Sequence, residues 1–199
     1  MNAPWLIASV VGAVVLAATV HQGMKPAIPE WERRVFHSVN GLPNWLFPVM
    51  WPVMQLGNLA VGAAAGLVVA GLARRWDVAA SVVLVVALKL AAEKLLRREL
   101  HGRIPARVRP GTSQTGATLR GGDIPTDGPS FPSGHALLAA GLACVVAPVA
   151  STGLMWMPFV LAFLVAFGRV YVGAHNPLDV TCGLGAGLLV GGVVAGVLA

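Results

Sequence analysis

Residues 132–179 read PSGHALLAAGLACVVAPVASTGLMWMPFVLAFLVAFGRVYVGAHNPLD. No formal charge occurs between Asp127 and Arg169. That run is about twice the roughly 20 apolar residues that one helix needs to cross a bilayer. Pro148 and the Ser151-Thr152-Gly153 turn divide it, which predicts one span near 134–149 and another near 154–172. Asn176-Pro177 then reads as the N-cap and first residue of a further helix, about 177–198. The few polar residues of the stretch gather where these helices begin and end.

The same reading extends to the rest of the chain. Residues 4–22 form an apolar run without a basic leader segment and are read as a retained first span. Pro43, Pro48 and Pro52 break the stretch before Gly57, so the second span is placed at 55–73. A third starts near Val78 and becomes charged at its far end, at Lys89, Glu93 and Lys94. Residues 28–46 carry Ile28, Trp31, Val35, Val39, Leu42 and Trp45 near helical spacing, as an interfacial amphipathic helix would. The expected fold is all-α: a polytopic six-transmembrane-helix bundle with an N-terminal interfacial helix and a long loop between helices 3 and 4. Residues 1–199 form a single integral-membrane domain, with no room for a soluble one. Gly183, Gly187 and Gly191 on the last span, and Gly62 and Gly66 on the second, predict close helix packing. Cys144 and Cys182 lie in apolar stretches and read as small buried hydrophobes.

Composition agrees. Apolar residues make up 56% of the chain and charged residues 11%, with a mean hydropathy of +0.75. That excludes a disordered chain, a coiled coil and an ordinary water-soluble domain. The 14 basic residues exceed the 8 acidic ones by six, but charge is confined to 25–34, 74–77, 89–127, Arg169 and Asp179. Such clustering marks helix ends and loops, so nucleic acid is not an expected partner. Placing Arg74 and Arg75 on the cytoplasmic side puts both polar loops, 97–134 and 169–179, outside. The outer loop is then the more basic one, and an anionic ligand would account for its arginines.

Ser133 and Gly134 end a flexible loop at the start of a helix, where backbone N–H groups and the helix dipole favour an anion. His135 stands beside them. Arg169 is a lone cation after the charge-free run and is costly unless partnered. Asp179 falls in the first helical turn, where it can accept the imidazole N–H of His175 or simply favour the helix N-terminus. His21, His37 and His101 read as interface residues. Arg120, Asp123 and Asp127 read as a solvated loop face.

These residues resemble the type 2 phosphatidic acid phosphatase (PAP2) superfamily, whose pattern is K-x6-R-P, P-S-G-H and S-R-x5-H-x3-D on a six-helix bundle. Pro132-Ser133-Gly134-His135 matches the second element, and Arg169, His175 and Asp179 match the third. Gly168 stands where the family usually has Ser. The first element departs: Arg109-Pro110 is present, but the residue seven before Arg109 is Gly102. Lys94 with Arg109 is favoured, with Arg97, Arg98 and Arg103 as alternatives. The resemblance implies that His175 is a nucleophile forming a phosphohistidine. It implies that Asp179 orients His175, and that His135 is the general acid and later activates water. Lys94, Arg109, Arg169 and the N–H groups at Ser133 and Gly134 would hold the phosphoryl oxygens, with no metal and no cofactor.

The expected activity is hydrolysis of a lipid phosphomonoester or diphosphate at the outer face of a cytoplasmic membrane. The lipid would be a polyprenyl diphosphate, phosphatidic acid or phosphatidylglycerophosphate, and the partners are this lipid phosphate and membrane lipids. A lipid phosphotransferase with the same site and a non-enzymatic lipid-phosphate binding or transport protein are the rival readings. Phosphate release without an added acceptor would separate them.

Overall fold

The computed structural model describes residues 3–25, 27–100, 107–122 and 124–198. Among them no strand forms; one isolated antiparallel bridge joins Val108 and Pro129. The helices are α1 (Ala3–Gly23), α2 (Glu30–Asn40), α3 (Phe47–Gln55), α4 (Leu59–Leu72), α5 (Trp76–Leu100), α6 (Pro110–Ser113), α7 (Gly134–Val146), α8 (Met157–Tyr171) and α9 (Pro177–Leu198). By length and composition, three segments among the described residues can cross a membrane: Ala3–Gly23, Thr152–Tyr171 and Pro177–Leu198. Asn44–Gln55 and Leu59–Leu72 make a fourth if they are one broken span, bent by 65°.

The bend lies where the prolines and Gly57 foretell an interruption. α3 begins with Pro48 in its first turn and contains Pro52; α4 starts afresh, with Asn58 Oδ1 accepting from Ala60 N at 3.0 Å. α4 has 14 residues, about 21 Å of helix, less than the hydrocarbon thickness. α7 has 13 residues and continues into a single 3-10 turn at Ala147–Val149, containing Pro148. A second 3-10 turn at Thr152–Leu154 leads into α8, so the division of the long apolar run falls where the turn residues place it.

α9 is the central helix, packed along α1 on one side and α7 on the other. Its glycines make both approaches possible. A Cβ on Gly187 would lie 2.7 Å from Ala140 Cβ, and one on Gly183 2.9 Å from Ala136 Cβ. On the other face, a Cβ on Gly185 would lie 2.9 Å from Leu16 N. Gly62 faces Leu138 and Leu142 of α7, and Gly66 faces Val82 of α5. The small-residue stripes therefore serve helix packing. Inside α1, Ser9 donates to Trp5 O and Thr19 to Val15 O, which satisfies their hydroxyls within the helix. Cys144 and Cys182 are free and buried.

The amphipathic segment is shorter than 28–46: α2 ends at Asn40, and Gly41 to Pro43 separate it from a 3-10 turn at Asn44–Leu46. Trp31 and Val35 are exposed on its outer face. Glu32, Phe36 and Asn40, at i, i+4 and i+8, are buried on the inner one. α2 is thus a structural wall of the site as well as an amphipathic surface element. Asn40 Nδ2 donates to Thr118 O and Tyr171 O, and its Oδ1 accepts from Thr118 N. Arg120 corrects the expectation of a solvated loop face. It donates to Asn44 Oδ1, Asn40 O, Leu42 O and Tyr171 O and lies over the Tyr171 ring, pinning the ends of α2 and α8.

Candidate active site

Two chain segments, 107–110 and 128–133, lie side by side and form the rim of the site. Arg109 N donates to Gly128 O, and Ser130 N and Oγ both donate to Arg107 O. This pairing aims the Ser130 carbonyl inward, where it meets His175 Nδ1 at 2.9 Å. A carbonyl only accepts, so the bond places the proton on Nδ1 and leaves the Nε2 lone pair available. Asp179 Oδ2 lies 3.9 Å from the same Nδ1, beyond hydrogen-bond range. The expected Asp179–imidazole bond is therefore replaced by the Ser130 carbonyl.

Asp179 is fully buried and occupied elsewhere. Its Oδ2 accepts from Asn176 N at 2.8 Å, the third-residue half of a capping box that opens α9. Its Oδ1 accepts from Arg107 Nε at 2.8 Å. Arg107 reaches on to Glu32: Nη1 donates to Oε2 at 3.0 Å and Nη2 to Oε1 at 2.5 Å. Glu32 Oε1 also accepts from Leu178 N at 2.9 Å. Burial works against the Arg107 charge, but Asp179 and Glu32 more than offset it and hold the guanidinium above its ordinary value. Asn176 is held in turn: Gln114 Nε2 donates to its Oδ1 at 2.7 Å, and its Nδ2 donates to Val108 O at 3.2 Å.

Around His175 stand Arg169 from the end of α8, Arg109, whose Nη1 donates to Ala174 O at 3.0 Å, and His135 from the first turn of α7. Burial first, then Arg169 and Arg109, push the His175 imidazole well below its ordinary value, while the bond to Ser130 opposes this. His175 is consequently a neutral base with one defined tautomer. Ser133 is the N-cap of α7 but makes no capping bond; its Oγ is buried and lacks a partner among the described residues. Its backbone N–H is already spent on Asp179 O at 3.0 Å. The hydroxyl of Ser133, not its N–H, is what that residue offers to a ligand.

The structure thus brings together His135, His175, Asp179, Arg109, Arg169, Ser133 and Gly134. Lys94 is not among them: its side chain is exposed. The charged groups of α5 that face His135 are Lys89 and Glu93, paired at 2.6 Å and largely buried. Glu93 also lies against Gly134, where a Cβ would come 3.0 Å from its carboxylate. Arg103 lies outside the described residues, as do His101, Gly102, Asp123 and the side chain of Arg97. Arg98, His21 and His37 are exposed. Glu32, Arg107, Ser130 and Lys89 escape a motif search because none belongs to a recognised pattern. A legible signal exists for Glu32 alone, a carboxylate in the same helical row as the apolar Phe36.

Long apolar helices around a buried site of histidines and arginines define a membrane protein. Residues 78–198, more than half of the chain, match the PAP2 superfamily, and the chain belongs to it. It resembles the undecaprenyl-diphosphatase of Sulfolobus acidocaldarius, with 47% identity over 60 residues. The match spans 30% of this chain and 28% of that protein's length. The transmembrane PAP2 type phosphatidylglycerolphosphate phosphatase of Bacillus subtilis superposes with a TM-score of 0.68 at 25% identity, covering 97% of this chain and 94% of that one. LpxE of Aquifex aeolicus superposes with a TM-score of 0.67 at 22% identity, covering 83% and 92%.

Proposed function

We propose that this chain is an integral-membrane lipid phosphatase that hydrolyses a lipid phosphomonoester or diphosphate through a phosphohistidine. The observation that carries the reading is His175, held by Ser130 O as a neutral Nδ1–H imidazole beside two arginines and the unpartnered Ser133 hydroxyl. In the first step His175 Nε2 attacks phosphorus, and the P–O bond to the lipid breaks with its electron pair going to oxygen. His135 gives that oxygen a proton. Water then attacks the phosphohistidine, His135 takes its proton, and the P–N bond breaks to return neutral His175 and inorganic phosphate. Arg109, Arg169, the Ser133 hydroxyl and the Gly134 N–H neutralise the phosphoryl oxygens, which is most of what phosphoryl transfer asks of a protein. Lys89 is the lysine we assign to this cluster in place of Lys94. No step calls for a metal.

A lipid substrate is supported by an apolar groove of about 350 Å³ between α4, α7 and α8, reaching from Leu56 and Ala139 to Ala150 and Leu154. One end adjoins the site, because Gly57 packs directly against His135. A prenyl or acyl chain fits this groove while its phosphate sits at His175. The relatives' names favour a polyprenyl diphosphate or phosphatidylglycerophosphate. We read the bundle as six spans, α1, α3–α4, α5, α7, α8 and α9, with the site at the outer face of the cytoplasmic membrane.

The deciding experiment is His175→Ala in purified protein, assayed with a panel of lipid phosphates in detergent. Loss of phosphate release from every substrate that the wild type cleaves is expected. Retained release would remove His175 as nucleophile. Binding of lipid phosphates by the wild type without any release would instead mark a binding protein.

A further inference from the structure

Resting on the phosphohistidine reading, we propose that Glu32 and Arg107 are positioning residues that set the charge of Asp179 behind His175. The side chains of Arg107, Glu32 and Asp179 are 3%, 0% and 0% exposed, so water screens none of them. They come from three places in the chain: α2, the rim segment at 107–110 and the first turn of α9. Arg107 also lies over the Phe131 ring, 5.6 Å from its centroid, which closes its remaining face.

The arithmetic of charge then matters. Asp179 and Arg107 alone would form a neutral pair, and a neutral pair exerts little field on the imidazole 3.9 Å away. Glu32 takes the other edge of the guanidinium in two hydrogen bonds and returns the trio to a net charge of −1. Attack by Nε2 turns the His175 ring into a cation. That ring keeps its Nδ1 proton on Ser130 O, so the aspartate cannot accept the proton and can help only as negative charge. Glu32 also holds Leu178 N, which fixes the start of the helix that carries Asp179. The transition state and the phosphoenzyme feel this charge; the neutral ring of the resting site does not.

Glu32→Gln tests the idea because it keeps the shape and removes one charge. The trio becomes neutral, and kcat is expected to fall by about 10- to 100-fold, as when the outer carboxylate partner of a metal-bound histidine is lost. KM and inhibition by inorganic phosphate should stay as in the wild type. Inhibition by vanadate, which binds the histidine as a transition-state mimic, should weaken in step with kcat. Glu32→Asp, which keeps the negative charge, should retain more activity than Glu32→Gln. Wild-type kcat in Glu32→Gln, or a lowered kcat with unchanged vanadate inhibition, would overturn the proposal. If Glu32→Asp disturbs the fold, the vanadate and phosphate comparison on Glu32→Gln still decides. The phosphatase reading has its own control: it fails if His175→Ala keeps activity, whereas an inactive His175→Ala beside an unaffected Glu32→Gln refutes only the role of Glu32.

Discussion

His175 illustrates how a single backbone carbonyl can decide the chemistry of a side chain. Ser130 O accepts from Nδ1, so Nε2 is the nitrogen left with a free lone pair whatever Asp179 does. The groups facing the ring are Arg169 from α8, Arg109 from the rim, His135 from α7 and Asp179 from α9. Burial and the two arginines outweigh the rest and keep the ring neutral. The folded value is depressed, so as pH falls the unfolded chain takes up the proton first, near 6.5. His175 therefore subtracts stability progressively below about pH 6.5 and subtracts none above it. In histidine-labelled protein, nitrogen NMR should show His175 as the neutral Nδ1–H tautomer from pH 7.5 down through 6. A titration of that signal centred near 6.5 would contradict the site's electrostatics. The tautomer could not be read from the sequence, because Ser130 lies 45 positions away and acts through its backbone.

Helices were legible wherever an apolar run ended at a turn signal, as at Ser133 and Asn176-Pro177, and less so where charge and apolarity mix. α5 shows the difference. Its face at Lys89 and Glu93 points to His135, while Lys94 does not, and a five-residue shift within one helix is invisible without knowing the helix's rotation. The Glu32–Arg107 pair, 75 positions apart, leaves no local trace. Packing of α9 was more accessible, because glycine at i, i+4, i+8 has few other uses in an apolar helix. Gly187 meets α7 at the closest range, and a Cβ there would lie 2.7 Å from Ala140 Cβ. Gly187→Val should push α7 and α9 apart and cost about 1–3 kcal/mol. Thermal unfolding in detergent should show a lowered midpoint, with lost phosphate release as a consequence because α7 carries His135 and α9 carries Asp179. An unchanged midpoint would mean that the two helices have slack that the structure does not show.

At the scale of the whole molecule, the proposed orientation conflicts with the usual inward bias of Lys and Arg unless the arginines around the site are committed elsewhere. Three of those in this region are: Arg107 is locked between Glu32 and Asp179, Arg109 bonds Ala174 O and faces both His135 and His175, and Arg120 donates to three carbonyls and Asn44. Arg74 and Arg75 are instead exposed in the tight turn between α4 and α5. A topological signal should come from charges of this second kind, since charges spent inside a fold carry none at its surface. The orientation we propose puts the turn at Arg74–Arg75 in the cytoplasm and the rim segments 107–110 and 128–133 outside. Native Cys144 and Cys182 are buried, so single engineered cysteines give a clean readout. Thr115→Cys, at an exposed position beside the site, should react with a membrane-impermeant thiol reagent in intact cells. Arg75→Cys, also exposed, should react only after the membrane is opened. The reverse pattern would place the site on the cytoplasmic side and restrict the substrate to lipid phosphates presented there.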